Sequence, residues 1–170
     1  LIISTSAGLW SYNIGDTIKF TSLEPFRIIV TGRIKHFLSA FGEHVISEEV
    51  EKAMEAATKL HNVAIREFTV APNINPKEML PHHEWYVEFE SLPKDMLAFS
   101  KALDKEMTRL NIYYKDLIDG KILKSLEVIS VIRGGFNQYM KSEGRLGGQN
   151  KVPRLSNDRK IADKLKTIST

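Results

Sequence analysis

The chain has 170 residues, no cysteine, and 24 Lys and Arg against 21 Asp and Glu, a formal net charge of +3. A disulfide framework and a thiolate metal site are excluded, and the basic residues are spread too evenly for the patch expected of a nucleic-acid binder. The longest apolar runs fall well short of the ~20 residues that span a bilayer, and the N-terminus lacks the pattern of a secretory leader, so a cytoplasmic protein with no membrane partner is expected.

Residues 1–31 alternate short β-like runs, 1–5, 17–20 and 26–30, with breaks at Gly8, Gly15 and Pro25. Residues 34–38 and 44–46 flank Phe41-Gly42 and predict a β-hairpin that bends near the glycine. Ser47 is placed to cap a helix with Glu48 and Glu49 in its first turn, where the helix dipole favours them. Val50, Ala53, Met54, Ala57 and Leu60 recur at helical spacing as its buried face.

Strands follow at 63–70 and 85–89. In the second, Trp85, Val87 and Phe89 alternate with Tyr86, Glu88 and Glu90, the pattern of a strand buried on one face. Between them Pro72-Asn73-Ile74-Asn75-Pro76 and Pro81-His82-His83 predict a loop too rich in proline to extend either strand. One long helix is expected over 95–119, where Met96, Phe99, Leu103, Met107, Leu110, Tyr114 and Leu117 step by three and four, with Gly120 at its C-terminal cap. A further strand spans 126–132. This order predicts an α+β fold, a small mixed or antiparallel sheet with helices packed on one face. From 133 to 157 the chain is polar and glycine-rich and reads as a loop, and Ile161, Leu165 and Ile168 predict a short terminal helix over 158–168.

Two polar clusters stand out. Tyr12-Asn13-Ile14-Gly15-Asp16 and Gly32-Arg33-Ile34-Lys35 lie on either side of strand-like sequence, and each has a glycine that lets the backbone bend or approach a ligand. Asp16 can accept hydrogen bonds from vicinal hydroxyls, and Arg33 offers a planar charged fork for a phosphate or carboxylate. Together they suit a sugar phosphate. Glu43 and His44 invite an acid-base role, but nothing in the sequence places a partner beside either, so Glu43 reads as a polar hairpin residue and His44 as a partly buried one. His82-His83 are adjacent in an expected loop with no third ligand nearby, so no metal site is expected there.

With Gly8-Leu9-Trp10-Ser11-Tyr12-Asn13-Ile14-Gly15-Asp16, Phe41-Gly42-Glu43-His44-Val45 and Gly148-Gln149-Asn150-Lys151-Val152-Pro153-Arg154 in this order, the chain resembles the acyl-adenylate-forming enzymes. Within them it resembles the bacterial branch of the auxin-responsive promoter family of acyl-acid amido synthetases. The resemblance implies that residues 1–31 are the last strands of a core domain that lies upstream and that 32–170 form the C-terminal domain. It implies that Asp16, Arg33 and Tyr12 bind the nucleotide, with Asp16 on the ribose hydroxyls, and that the C-terminal domain swings about Lys35. It implies that the Gly42-Glu43 hairpin is presented for the second half-reaction. Lys151 would be the catalytic lysine that bridges the substrate carboxylate and the α-phosphate during adenylation.

The implied cofactors are ATP and Mg2+, bound mainly by the core domain, and the implied partners are that domain, a carboxylic acid and an amine such as an amino acid. Ser11 departs from the arginine associated with its position, so no nucleotide contact is expected of it. Without a phosphate loop or acyl pocket, residues 1–170 alone are expected to be inactive. Two other readings fit the same residues: the C-terminal domain of an acyl-CoA ligase, with a thiol in place of the amine, and a non-catalytic α+β interaction module.

Overall fold

The computed structural model describes residues 1–33, 37–145, 147 and 150–169. Lys35, the expected hinge, lies outside these, as do Gly148 and Gln149 of the glycine-rich motif. Two small antiparallel pairs come first: β1 (Ile2–Ile3) with β2 (Tyr12–Asn13), and β3 (Asp16–Leu23) with β4 (Phe26–Arg33). The second pair is a long hairpin with Phe20, Leu23, Phe26, Ile28, Ile29 and Val30 all exposed. It runs to Arg33, two residues past the expected end of the core strands.

Beyond it, β5 (Phe37–Leu38) pairs with β6 (Val45–Ile46) in the predicted hairpin, whose second strand starts one residue later than expected. Then come α1 (Ser47–His61), β7 (Ile65–Asn73), β8 (His82–Phe89), α2 (Met96–Leu110), α3 (Ile112–Asp119), β9 (Glu127–Val131), α4 (Gly135–Ser142) and α5 (Lys160–Ser169). Strands β7, β8 and β9 form one mixed sheet in that order, antiparallel and then parallel.

The sheet is covered on both faces. Trp85, Val87 and Phe89 of β8 pack with Phe68 and Val70 of β7 against Val50, Ala53 and Met54 of α1 and Phe99, Leu103 and Met107 of α2. On the other face Tyr86, with Ala71 and Val131, lies under Phe136, Tyr139 and Met140 of α4 and Ile161, Ala162 and Leu165 of α5. Each large apolar side chain buried in these layers contributes about 1.5–3 kcal/mol. All eight residues of β8 are therefore buried, including Tyr86 and Glu88, which the alternating pattern assigns to solvent. Of this second helical layer, α5 falls on the expected terminal helix, whereas α4 lies inside 133–157, the stretch expected to be a loop.

Four local differences stand out. Strand β7 continues through Pro72 because β7 is an edge strand. The Val70 N–H donates to the Arg154 carbonyl at 2.9 Å and the Val70 carbonyl accepts from the Ser156 N–H at 3.0 Å, both away from β8. Pro72, two residues on, shares that outward orientation, so its missing N–H costs no ladder bond. The expected long helix is broken at Asn111, whose side chain accepts from the Tyr114 N–H at 2.7 Å and caps α3, and whose amide donates to Glu49 at 2.9 Å. After α3 the left-handed residue is Lys121 (φ 54°) rather than Gly120, which is helical. At the start of α1, Ser47 is already helical, and Glu49 accepts from the Ile46 N–H at 3.0 Å.

Candidate functional site

The register of the first long hairpin sets Asp16 directly opposite Arg33 and Thr17 opposite Gly32. Two clusters fifteen residues apart in sequence thus meet at one end of one β-ribbon. The Asp16 carbonyl accepts from the N-terminal amine of Leu1 at 2.8 Å, which ties β1 to the same end. Tyr12 sits in β2 and is half-exposed. Gly15, between them, has φ 78°, a value for which glycine is suited.

Lys151 lies elsewhere. It is exposed at the lip of a cleft of about 300 Å3 whose lining includes Arg66, Glu67, Glu88, Asn137 and Asn150. None of the cleft residues comes from β1–β4, so Lys151 and the Asp16–Arg33 end form two separate patches. The chain after Lys151 is firmly held. Val152 is buried, the Pro153 carbonyl accepts from the Thr69 hydroxyl at 2.7 Å, and Leu155 bridges to Val70 in parallel. The Arg154 guanidinium donates to Glu67 and lies 4.5 Å from the centre of the Phe68 ring, a cation–π contact. Lys151 is therefore one residue away from a segment laced along the edge of the sheet.

The floor of the cleft depends on Glu88. Buried on the second face of β8, its carboxylate accepts from the N–H groups of Gly134 (2.7 Å) and Phe136 (3.3 Å). It thereby satisfies donors that the first turn of α4 leaves unpaired, and a negative charge is favourable at that helix end. Glu84, two residues earlier on the same face, accepts from Arg159 Nη2 at 2.6 Å, Tyr86 Oη at 2.8 Å and Asn73 Nδ2 at 2.9 Å. Burial pushes the Glu84 carboxyl up, but the bonds from Arg159 and Tyr86 and the guanidinium charge outweigh it and hold the group below its ordinary value. This triad pins the start of α5 to the sheet.

Glu43 is not a solvent-facing hairpin residue. Its side chain is fully buried, accepts from the Phe41 N–H at 2.8 Å, and is hydrogen-bonded to His83 Nε2 at 2.9 Å. His83, on the first face of β8, stacks on Tyr114 with ring centres 5.1 Å apart and on Phe41 at 6.4 Å. Burial raises the Glu43 carboxyl, yet the hydrogen bond and charge of His83, with the Phe41 N–H, bring it below its ordinary value. Gly42 occupies the exposed turn with φ 90°. The arrangement fixes the hairpin's bend relative to the sheet and leaves Glu43 no exposed oxygen for chemistry. His44, expected to be partly buried, is exposed and lies 3.2 Å from the Ser39 hydroxyl.

The GH3 family C-terminal domain model matches residues 48–160, more than half of the chain. The chain belongs to the GH3 family. The matched segment of this GH3 chain runs from α1 to the start of α5 and contains Lys151 and its cleft; Tyr12, Asp16, Arg33, Gly42 and Glu43 precede it. The chain is 28% identical to the indole-3-acetic acid-amido synthetase GH3.4 of Arabidopsis thaliana, over 91% of this chain and 28% of that protein. Its fold matches GH3.15 acyl acid amido synthetase with a TM-score of 0.78 at 20% identity, covering 99% of this chain and 33% of that one. A second structure, AtGH3.15 acyl acid amido synthetase in complex with 2,4-DB, gives 0.74 at 21% identity, with 99% and 32% covered. The GH3 chain thus spans about a third of the length of the relatives it matches. The sequence resemblance is borne out at the level of the family and of the α+β fold. Among the described residues no helix is long and apolar enough to cross a membrane.

Sequence reasoning missed the residues that hold this site in shape. Glu88 looks like the solvent side of a half-buried strand, Glu84 precedes the expected start of that strand, and Arg159 looks like one more basic residue of a surface helix. Glu88 reaches Gly134 across 46 residues and Glu84 reaches Arg159 across 75, and no local pattern shows those separations.

Proposed function

We propose that this GH3 domain is the closing domain of an ATP-dependent acyl-acid amido synthetase. In the first step an oxygen of a carboxylic acid attacks the α-phosphorus of ATP, and the bond to pyrophosphate breaks to give an acyl-adenylate. In the second an amine, such as that of an amino acid, attacks the acyl carbon, loses a proton and expels AMP. A magnesium ion, when bound, would supply charge neutralisation at the phosphates, and in this reading the core domain would hold it together with the acyl pocket. The observation that carries this reading is the GH3 C-terminal domain match over 48–160, with Lys151 inside it on an open cleft.

The residues have physical reasons for the roles given to them. Asp16 and Arg33, opposite each other on one ribbon, offer a carboxylate for vicinal hydroxyls and a cationic fork for phosphate, as a nucleotide requires; Tyr12, on the preceding strand β2, is the third residue assigned to the nucleotide. Lys151 supplies the charge that lets two anions approach, and stabilises negative charge developing on the phosphate oxygens. Because 152–156 is laced to β7, Lys151 arrives and leaves by rotation of the whole domain about Lys35, with little freedom of its own loop. That rotation also brings the Gly42 turn to the reaction centre for the second step, and Glu43 positions the turn from beneath.

The test is ATP–pyrophosphate exchange by the full-length protein against a panel of carboxylic acids, in wild type and Lys151→Ala. Exchange dependent on one acid and lost in the variant supports adenylation with Lys151 in the site. Exchange equal in both removes Lys151 from it. Product analysis with an amine and a thiol then separates amide from thioester formation.

A further inference from the structure

On the second face of the sheet, at the end where β8 and β9 begin, three side chains converge. His82 and Glu84 are two residues apart on β8 and so share a face, and the parallel register sets Glu127 of β9 directly opposite Glu84. His82 Nε2 lies 3.3 Å from Glu127 Oε2 and 3.9 Å from Glu84 Oε1. One ligand atom from each of the three falls within 4.8 Å of the others.

The histidine gives the reason to look for a ligand. His82 is 1% exposed, and its Nδ1 is 3.1 Å from the Leu80 carbonyl. A carbonyl can only accept, so Nδ1 carries a proton and Nε2 is the nitrogen left to face the carboxylates. That nitrogen is buried, makes no hydrogen bond of acceptable geometry, and points at carboxylate oxygens that can only accept. Three groups that converge in this way need a positive charge among them, supplied by a second proton on the ring or by a bound cation, and only the cation uses all three as ligands.

We propose that His82, Glu84 and Glu127 form a site for a divalent transition-metal ion, with zinc the best match. One imidazole nitrogen and two carboxylate oxygens are a set that zinc accepts and magnesium does not favour. The 3.3 Å edge is about what two ligands 2.0–2.1 Å from a tetrahedral ion require. The supporting contacts are of the kind metal sites use. The Leu80 carbonyl fixes the imidazole tautomer. Asn73 holds Glu84 Oε1, while Arg159 and Tyr86 occupy Oε2. Lys124 occupies Glu127 Oε1 and leaves Oε2 free to ligate. Glu127 is half-exposed, which gives the ion a way in and leaves a position for water. Neighbouring His83 takes no part, because strand alternation turns it to the opposite face toward Glu43. The sequence analysis expects no metal site at His82-His83 because it reads them as a loop without a third ligand; both lie in β8, and His82 finds its companions by register.

The experiment is zinc titration of the 170-residue chain against a chromophoric chelator, with cobalt substituted for zinc to read the coordination from its visible absorption. One equivalent is expected to bind. Affinity should fall on the order of 10–100-fold in His82→Ala and in Glu127→Gln, and cobalt should show tetrahedral-type bands in wild type only. His44→Asn, at an exposed histidine, should bind as wild type does. If His82→Ala fails to fold, Glu127→Gln decides, since its side chain is half-exposed. Failure to bind zinc, or equal binding and equal cobalt spectra in wild type and Glu127→Gln, would overturn the site.

Discussion

The Glu43–His83 pair shows what a single buried charge does for this domain. Glu43 has two acceptor oxygens and a partner for each, buried His83 and the half-buried Phe41 N–H. Removing the carboxylate in Glu43→Ala leaves both donors without it, at a cost of about 3 kcal/mol, to be read from urea unfolding at pH 7. The pH dependence follows from the direction of the shift. The Glu43 carboxyl is below its ordinary value in the fold and near about 4.3 in the unfolded chain. Its stabilisation is complete above the unfolded value and is lost as pH falls through the folded one. Glu43→Gln is therefore expected to be less stable than wild type at pH 7 and to show a shallower loss of stability below about pH 4. Parallel acid limbs in the two proteins would contradict this.

Among the elements, strand β8 separates what the sequence shows from what it hides. Its first face was legible, because Trp85, Val87 and Phe89 are apolar at period two and their counterparts on α1 and α2 recur at helical spacing. Its second face was not: Glu84 and Glu88 are charged, and only a second helical layer from residues 135–169 makes them interior. Of that layer α5 was legible from Ile161, Leu165 and Ile168, but α4 was hidden because glycines and polar residues from 133 to 157 suggest a loop, while Phe136, Tyr139 and Met140 are too few to outvote them. The long helix was legible as helix, but the break at Asn111 depends on a cap and a contact to Glu49 sixty-two residues away. The ribbon carrying Asp16 and Arg33 was legible as two motifs, and their pairing followed from hairpin register. Helix α4 also accounts for Gly135. A Cβ there would come 2.5 Å from Val131 Cγ1, a stiff buried side chain that cannot step aside. Gly135→Ala is expected to cost about 1–3 kcal/mol, seen as a lowered thermal midpoint with α4 the first element to lose protection.

Across the whole molecule, stability is uneven. The mixed sheet is buried on both faces, whereas the β3–β4 ribbon is a two-stranded hairpin with Phe20, Leu23, Phe26, Ile28, Ile29 and Val30 exposed. Isolated hairpins are marginal, so hydrogen exchange in the 170-residue chain should be fast along β3 and β4 and slow along β7 and β8; equal protection would show the ribbon held by something other than the pairing described. The same division bears on activity. Residues 1–170 alone should release no pyrophosphate from ATP above a protein-free control, because the GH3 relatives are about three times as long as this chain and the acyl pocket is assigned to the remainder. The measurement that tests the account most directly is ATP–pyrophosphate exchange by the full-length protein with and without Lys151. Acid-dependent exchange that falls about 10²–10³-fold in Lys151→Ala, as expected for loss of a charge contact made in the transition state, is the predicted result. Exchange undiminished in Lys151→Ala would contradict it, and would leave the cleft that carries this lysine without a part in adenylation.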